Sequence, residues 1–253
     1  MKIDITRPQI GRIYDYVLGG TYNYEADRRA AQQMIEVMPA YPRLAWQNRA
    51  FLADVGRRWA AEGRRRVLDL GSGLPTQGHF NEHMPSAKIL FTDVDPITVA
   101  QAQQLLAYTP DMACSQVDLR EPDVLLEQAE AFFGDNRVLA VGAIGIIYFL
   151  ADDDLRRLMQ RLHAFCAPGS VLALSFPEVP ELDVLNATVA ALSESARIGL
   201  HLRSPEQLAE LIAPWRMISV ERLEERFGEG GPAITQPDHP MHQTKVRGAF
   251  AER

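Results

Sequence analysis

The sequence predicts an α/β fold in which a mainly parallel, seven-stranded sheet lies between helical layers. Three observations predict it. Short apolar segments alternate with amphipathic helical ones along residues 67–176, the pattern of parallel strands joined by helical crossovers. The first of these strands runs directly into a glycine turn, Asp69-Leu70-Gly71-Ser72-Gly73. The 253 residues, 47% hydrophobic and 23% charged, suffice to bury such a sheet and to add a helical extension.

The elements follow in order. Residues 7–18 read as a helix with Pro8 in its first turn and Gly19-Gly20 as its stop. Residues 25–38 place Ala30, Ala31, Met34, Ile35 and Met38 at helical spacing, and Pro39 and Pro42 break that pattern. A third helix, 43–62, carries Leu44, Leu52, Val55 and Trp59 on one face and ends at Gly63. Strands are expected at 67–70, 88–92, 112–117, 137–147 and 170–176, with helices at 96–107, 121–133 and 152–166 between them. Asp152-Asp153-Asp154 suits the positive end of the last of these helices. Further on, 181–198 reads as a helix, and Ser204-Pro205-Glu206-Gln207 reads as a capping box. Residues 217–223 and 245–251 read as strands flanking a Gly/Pro-rich loop. Two units are expected: a helical lid, residues 1–63, packed on a core domain, 64–253.

Composition excludes several classes. A net charge of −7 disfavours non-specific nucleic-acid binding. No apolar run reaches the roughly 18 residues of a membrane span, and the first residues lack a signal-peptide core. The two cysteines, Cys114 and Cys166, sit in apolar contexts without metal-ligand spacing and read as buried thiols. A cytoplasmic protein without a metal is expected.

The chemistry is expected beyond the carboxyl ends of the strands, where open parallel sheets bind ligands. Gly71 permits a tight turn, and Gly73 lets a ligand approach the backbone past Ser72. Asp93 ends the second strand, twenty residues past Gly73, where a carboxylate can accept ribose hydroxyls, with Val94 beside it. Asp118 ends the third and could take an adenine amino group, with Leu119 beside the ring. A dinucleotide fingerprint would need a third glycine. Here Thr76 replaces it, and Pro75 removes a backbone donor. S-adenosylmethionine (SAM) has no phosphate, and its ammonium can meet Asp69. SAM is therefore the expected cofactor, ahead of NAD.

These stretches resemble class I SAM-dependent methyltransferases with their Rossmann-like three-layer sandwich. More narrowly, they resemble the bacterial S-adenosyl methyltransferase family first described as DUF574. The resemblance rests on the runs at 12–20, 22–28, 48–52, 68–78, 93–96 and 118–120, and it covers most of residues 7–175. It implies the fold and the cofactor and says little of the substrate. Tyr22-Asn23-Tyr24 and Ser175-Phe176-Pro177 depart from the family pattern, on the substrate side.

Tyrosines cluster about the Gly-Gly hinge, and aromatic faces favour a sulfonium. Tyr14, Tyr22 and Asn23 therefore either close over the cofactor or simply pack the helix. Arg49 either meets the SAM carboxylate or pairs with an acid. Glu178, Tyr148, His239 and His242 are candidate general bases, none of them singled out, and each reads more readily as structural or solvated. The expected partner is a small-molecule methyl acceptor, and a homodimer is admitted. The rival readings are a non-catalytic SAM-binding regulator, an NAD(P)-dependent oxidoreductase and an aminopropyl transferase.

Overall fold

The computed structural model describes residues 5–76, 78–178, 199–228 and 244–253. The expected helix 181–198, His239, His242 and most of the Gly/Pro-rich loop lie outside them.

Three helices come first: α1 (Ile10–Val17), α2 (Glu25–Val37) and α3 (Tyr41–Ala61). Helix α1 starts later than Pro8 suggested, because Gln9 is its N-cap. Pro42 lies past the break, in the first turn of α3, where a missing N–H costs nothing. Then β1 (Arg66–Asp69), α4 (Phe80–His83), β2 (Lys88–Asp93), α5 (Pro96–Leu105), β3 (Met112–Gln116), α6 (Pro122–Phe133) and β4 (Ala140–Ala143) alternate. A 3₁₀ turn (Ile147–Phe149), α7 (Asp152–Phe165), β5 (Val171–Glu178), α8 (Pro205–Ile212), β6 (Arg216–Arg222), α9 (Leu223–Phe227) and β7 (Lys245–Glu252) complete the described chain. The expected strand 137–147 shrinks to four residues, because the chain turns at Gly145, at φ +76°. Ser204 does cap α8 in a capping box with Gln207.

The sheet has seven strands in the order β3-β2-β1-β4-β5-β7-β6. Pairings from β3 to β5 are parallel, whereas β7 runs antiparallel to both β5 and β6. Side-chain alternation along the strands divides the core in two. Val67, Ile89, Phe91 and Ala173 face one layer, where Phe51 and Trp59 of α3, Phe80 and Val99 close over them. Leu68, Leu90, Val141 and Leu172 face the other, under Leu125 of α6, Leu155 and Leu158 of α7, and Leu208 of α8. Trp59 stacks on Phe80 at 5.3 Å. Phe80 also fills the space where a side chain on Gly142 would stand, 2.8 Å away, so a glycine in β4 admits the ring.

The order reverses at β1. The chain proceeds outward through β2 and β3, then returns to β4 on the other side of β1. That reversal opens a crevice at the carboxyl ends of β1 and β4, the place where such sheets bind ligands.

Candidate active site

The turn after β1 forms one wall of the crevice. Leu70 N–H donates to Gly142 O and Ser72 N–H to Thr92 O, both at 2.8 Å, so the turn is tied to the strands on either side. Gly71 and Gly73 have φ of +59° and +62°, the left-handed region that glycine enters without strain. They serve different ends. A side chain on Gly71 would begin 2.4 Å from Ile146, whereas one on Gly73 would meet no atom within 4 Å. The first glycine admits a neighbour, and the second leaves open space. Helix α1 passes over the turn: a side chain on Gly11 would begin 3.9 Å from Gly73 Cα.

Asp69 ends β1 and is 2% exposed. Its Oδ2 has no hydrogen-bond partner, and His79 Nε2 stands 3.6 Å away. Burial raises the Asp69 carboxyl well above the usual carboxylate range, against the pull of Arg49. His79 does not neutralise it. Phe80 N–H donates to His79 Nδ1, so the ring proton sits on Nε2 and faces Ser72 O at 3.1 Å. Burial, with Arg49 adding to it, lowers the His79 pKa to about 3, leaving a neutral ring.

Arg49, on α3, comes to the same place. Its guanidinium lies over the Tyr14 ring at 5.7 Å, and its stem rests beside Gly78. Among the described residues Nε and Nη1 are buried without an acceptor, and Arg49 forms no ion pair with Asp69. Two opposite charges thus share one crevice without touching, and a buried polar group left unpaired is costly.

Asp93 is engaged already. Its Oδ2 accepts from Gly73 N–H and its Oδ1 from Asp95 N–H, each at 2.9 Å. Of the roughly four acceptor positions of a carboxylate, some stay free for a ligand. Val94 beside it is 56% exposed. Asp118 is held by Arg120, with Nε at 2.9 Å from Oδ1 and 3.0 Å from Oδ2, which keeps its carboxyl below the usual range. Leu119 next to it is buried.

The N-terminal tyrosines divide. Tyr14 is half-buried, its hydroxyl donates to Ala45 O at 2.8 Å, and desolvation lifts its pKa to about 12. Tyr22 is 37% exposed, and its N–H donates to Asp15 Oδ2. Asn23 Nδ2 donates to that same oxygen and to Gly20 O. The Asp15 carboxylate fills the space a side chain on Gly20 would take, 2.2 Å away, which explains the second glycine of the hinge. Tyr14 also lines an open cavity, together with Tyr41, Asn48, Tyr148 and Phe149 among others. Tyr22 and Asn23 do not line it.

The family model for S-adenosyl methyltransferases matches residues 1–220. The chain belongs to that family. Its cofactor is S-adenosylmethionine. A DUF574 family protein from Streptomyces avermitilis MA-4680 is 25% identical with a TM-score of 0.82, each chain covering 100% of the other. A candidate methyltransferase from Thermobifida fusca YX is 25% identical with a TM-score of 0.84, over 99% of this chain and 96% of that one. Magnesium protoporphyrin IX methyltransferase from Synechocystis PCC 6803, solved with S-adenosylhomocysteine, shares the fold at 12% identity and a TM-score of 0.57, over 95% and 93% of the chains. No curated protein matches the chain.

In this methyltransferase-family chain the candidate bases separate. Tyr148, in the 3₁₀ turn, lines the cavity, and burial pushes its hydroxyl well above the usual range. Glu178 is the last residue of β5. It is bound to Arg247 at 2.5 Å and to Arg222 at 3.2 Å, which outweigh burial and hold its carboxyl low. His239 lies outside the described residues. Cys114 and Cys166 are buried free thiols, as expected. Among the described residues no acidic, histidine or cysteine cluster could hold a metal, and no helix is long and apolar enough to cross a membrane. Sequence reasoning gave no role to Tyr41, to Asn48 within the run 48–52 or to Ser175 within its substrate-side departure. Ser175 Oγ donates to Asn48 Oδ1 at 2.6 Å across 127 positions, a separation that leaves no local signal.

Proposed function

We propose that the chain transfers the methyl group of S-adenosylmethionine to a small molecule seated in the cavity beside Tyr14. One observation carries this reading: the unpaired Asp69 carboxylate and Arg49 guanidinium at the β1–β4 crevice, next to the open side of Gly73. An α-amino acid end carries one charge of each sign and would satisfy both groups at once, its ammonium on Asp69 and its carboxylate on Arg49. The residues present therefore fit the cofactor. Asp93 would take a ribose hydroxyl with Val94 and Ser72 alongside, and Asp118 and Leu119 would border the adenine. Bound there, SAM supplies a methyl carbon already activated by its sulfonium.

The remaining work falls to positioning and water exclusion. Tyr14 belongs to both places: it carries the Arg49 guanidinium over its ring and lines the cavity. Residues 1–63 act as the cover over the core domain, 64–253, with α1 above the glycine turn and Tyr22 and Asn23 shaping its hinge. A net charge of −7 favours a small acceptor over nucleic acid, and the chain is read as cytoplasmic and able to form a homodimer.

Calorimetry with SAM, S-adenosylhomocysteine and NAD tests the reading. Both sulfur nucleosides are expected to bind with micromolar affinity, on the order of −8 kcal/mol, and NAD to give no heat. Binding of NAD in preference to either would replace this reading with the oxidoreductase one.

A further inference from the structure

The cavity narrows the choice of acceptor. Four rings face it, those of Tyr14, Tyr41, Tyr148 and Phe149, among aliphatic neighbours. Its polar groups are few. The Tyr14 hydroxyl is committed to Ala45 O. The hydroxyls of Tyr41 and Tyr148 make no hydrogen bond among the described residues. Burial raises the pKa of both, so they stay protonated at neutral pH.

The Asn48 amide decides the polarity of this end. Gly145 N–H donates to Ser175 Oγ at 2.9 Å, so the serine proton is free to go to Asn48 Oδ1, at 2.6 Å. The amide is thereby fixed with Nδ2, a donor, turned away from Ser175. Nδ2 and the Tyr148 hydroxyl both lie 3.8 Å from the point where a side chain on Gly145 would begin. Two donors, both from residues that line the cavity, thus approach one point beside a residue that has no side chain. Among the described lining residues there is no carboxylate and no imidazole.

Hydrogen-bond donors favour an acceptor atom that bears negative charge. A phenol and an alkylammonium lose a proton at similar pH, about 10. Donors ease that loss from the phenol, whose product is an anion they can bind, and give no help to an ammonium, which would need a base.

The geometry points to a flat aromatic acceptor methylated on an ionised phenolic oxygen, with that oxygen held between Asn48 Nδ2 and the Tyr148 hydroxyl. The inference rests on the SAM reading above. In the step, the phenol first releases its proton to solvent through the open mouth. The phenolate oxygen then forms a bond to the methyl carbon as the carbon–sulfur bond breaks, and that electron pair goes to sulfur. The products are an aryl methyl ether, S-adenosylhomocysteine and one proton.

Two measurements on the full chain test it. In the first, 4-nitrophenol is titrated by absorbance with saturating S-adenosylhomocysteine. Its apparent pKa is expected to fall by about one unit on binding. In the second, matched phenols, anilines and benzoic acids are offered with SAM, and only the phenols are expected to be methylated. Tyr148→Phe removes one oxygen and keeps the ring. It is expected to lower kcat/KM for phenols about 10-fold and to shrink the nitrophenol shift. Asn48→Asp sets a carboxylate against the phenolate and is expected to cost about 100-fold. S-adenosylhomocysteine affinity is expected to stay within about twofold in both variants, which separates lost donors from a lost fold. Methylation of anilines or benzoic acids in preference, an unshifted or raised nitrophenol pKa, or a Tyr148→Phe variant with unchanged kcat/KM would each overturn the inference and leave the cofactor reading standing. Failure of the wild type to bind S-adenosylhomocysteine would remove both.

Discussion

Replacing Asp27 by alanine is expected to destabilise the chain by about 3–5 kcal/mol, the cost of leaving a buried charge without its partner. Asp27 and Arg12 are both fully buried. Asp27 Oδ2 accepts from Arg12 Nε and Tyr24 N–H, and Oδ1 from Gln9 N–H, all at 2.9 Å. One carboxylate thus fixes the start of α1, the start of α2 and a guanidinium between them. Arg12 also reaches Arg7 O at 2.7 Å and stands 3.9 Å from Asp95 Oδ2. Asp95 cannot take over the whole charge, because it already caps α5 through Ile97 N–H, Thr98 N–H and the Thr98 hydroxyl. Thermal unfolding should show a midpoint lower by roughly 10 °C. Asp27→Asn keeps the shape and one of the two acceptor oxygens and should lie between alanine and wild type. A shift of no more than about 1 °C for the alanine variant would mean that this pair does not hold α1 and α2 together.

Asp69→Asn is expected to change stability and cofactor affinity in opposite directions. Burial raises the Asp69 carboxyl above its ordinary 3.8. The folded chain therefore holds the proton more tightly than the unfolded chain does. The stability that Asp69 contributes is fully present below its ordinary value and is lost as pH rises through the raised one. At neutral pH without ligand the charge is a burden, and asparagine should raise the melting temperature above that of wild type. The difference should vanish as pH falls below about 4, where the unfolded carboxyl also takes its proton. The same change should weaken S-adenosylhomocysteine binding about 100-fold, since it removes the partner of a buried ammonium. A variant less stable than wild type at pH 7, with unchanged affinity, would make Asp69 a structural residue.

The sheet was legible because each strand seats alternate residues in opposite cores. Val67 and Leu68, or Leu172 and Ala173, are adjacent in sequence and face different helices. Strand β4 was overextended because Ile144, Ile146 and Ile147 are as apolar as a strand, yet they serve the turn, where Ile146 packs on Gly71. The break between α2 and α3 was legible from Pro39 and Pro42, and only the start of α3 was placed two residues late, because a proline just before a helix and one in its first turn look alike without the N-cap geometry. The crevice residues Asp69, Gly71 and Gly73 announce themselves by following a strand. Asn48 does not: its role comes from Ser175 on β5 and Gly145 after β4, and only tertiary packing brings the three together. Asp93 and Asp118 could be placed at their strand ends, but their hydrogen bonds to Gly73 N–H and to Arg120 could not be read from spacing.

The pairing of Asp69 and Arg49 with an amino acid end is tested most directly by comparing two ligands in calorimetry on the wild-type chain. S-adenosylhomocysteine carries that end, and 5′-methylthioadenosine keeps the nucleoside and the sulfur without it. The account predicts that the first binds at least about 100-fold more tightly, a gap of roughly 3 kcal/mol. Equal affinities would contradict it, because the two unpaired charges would then have no part in holding the cofactor.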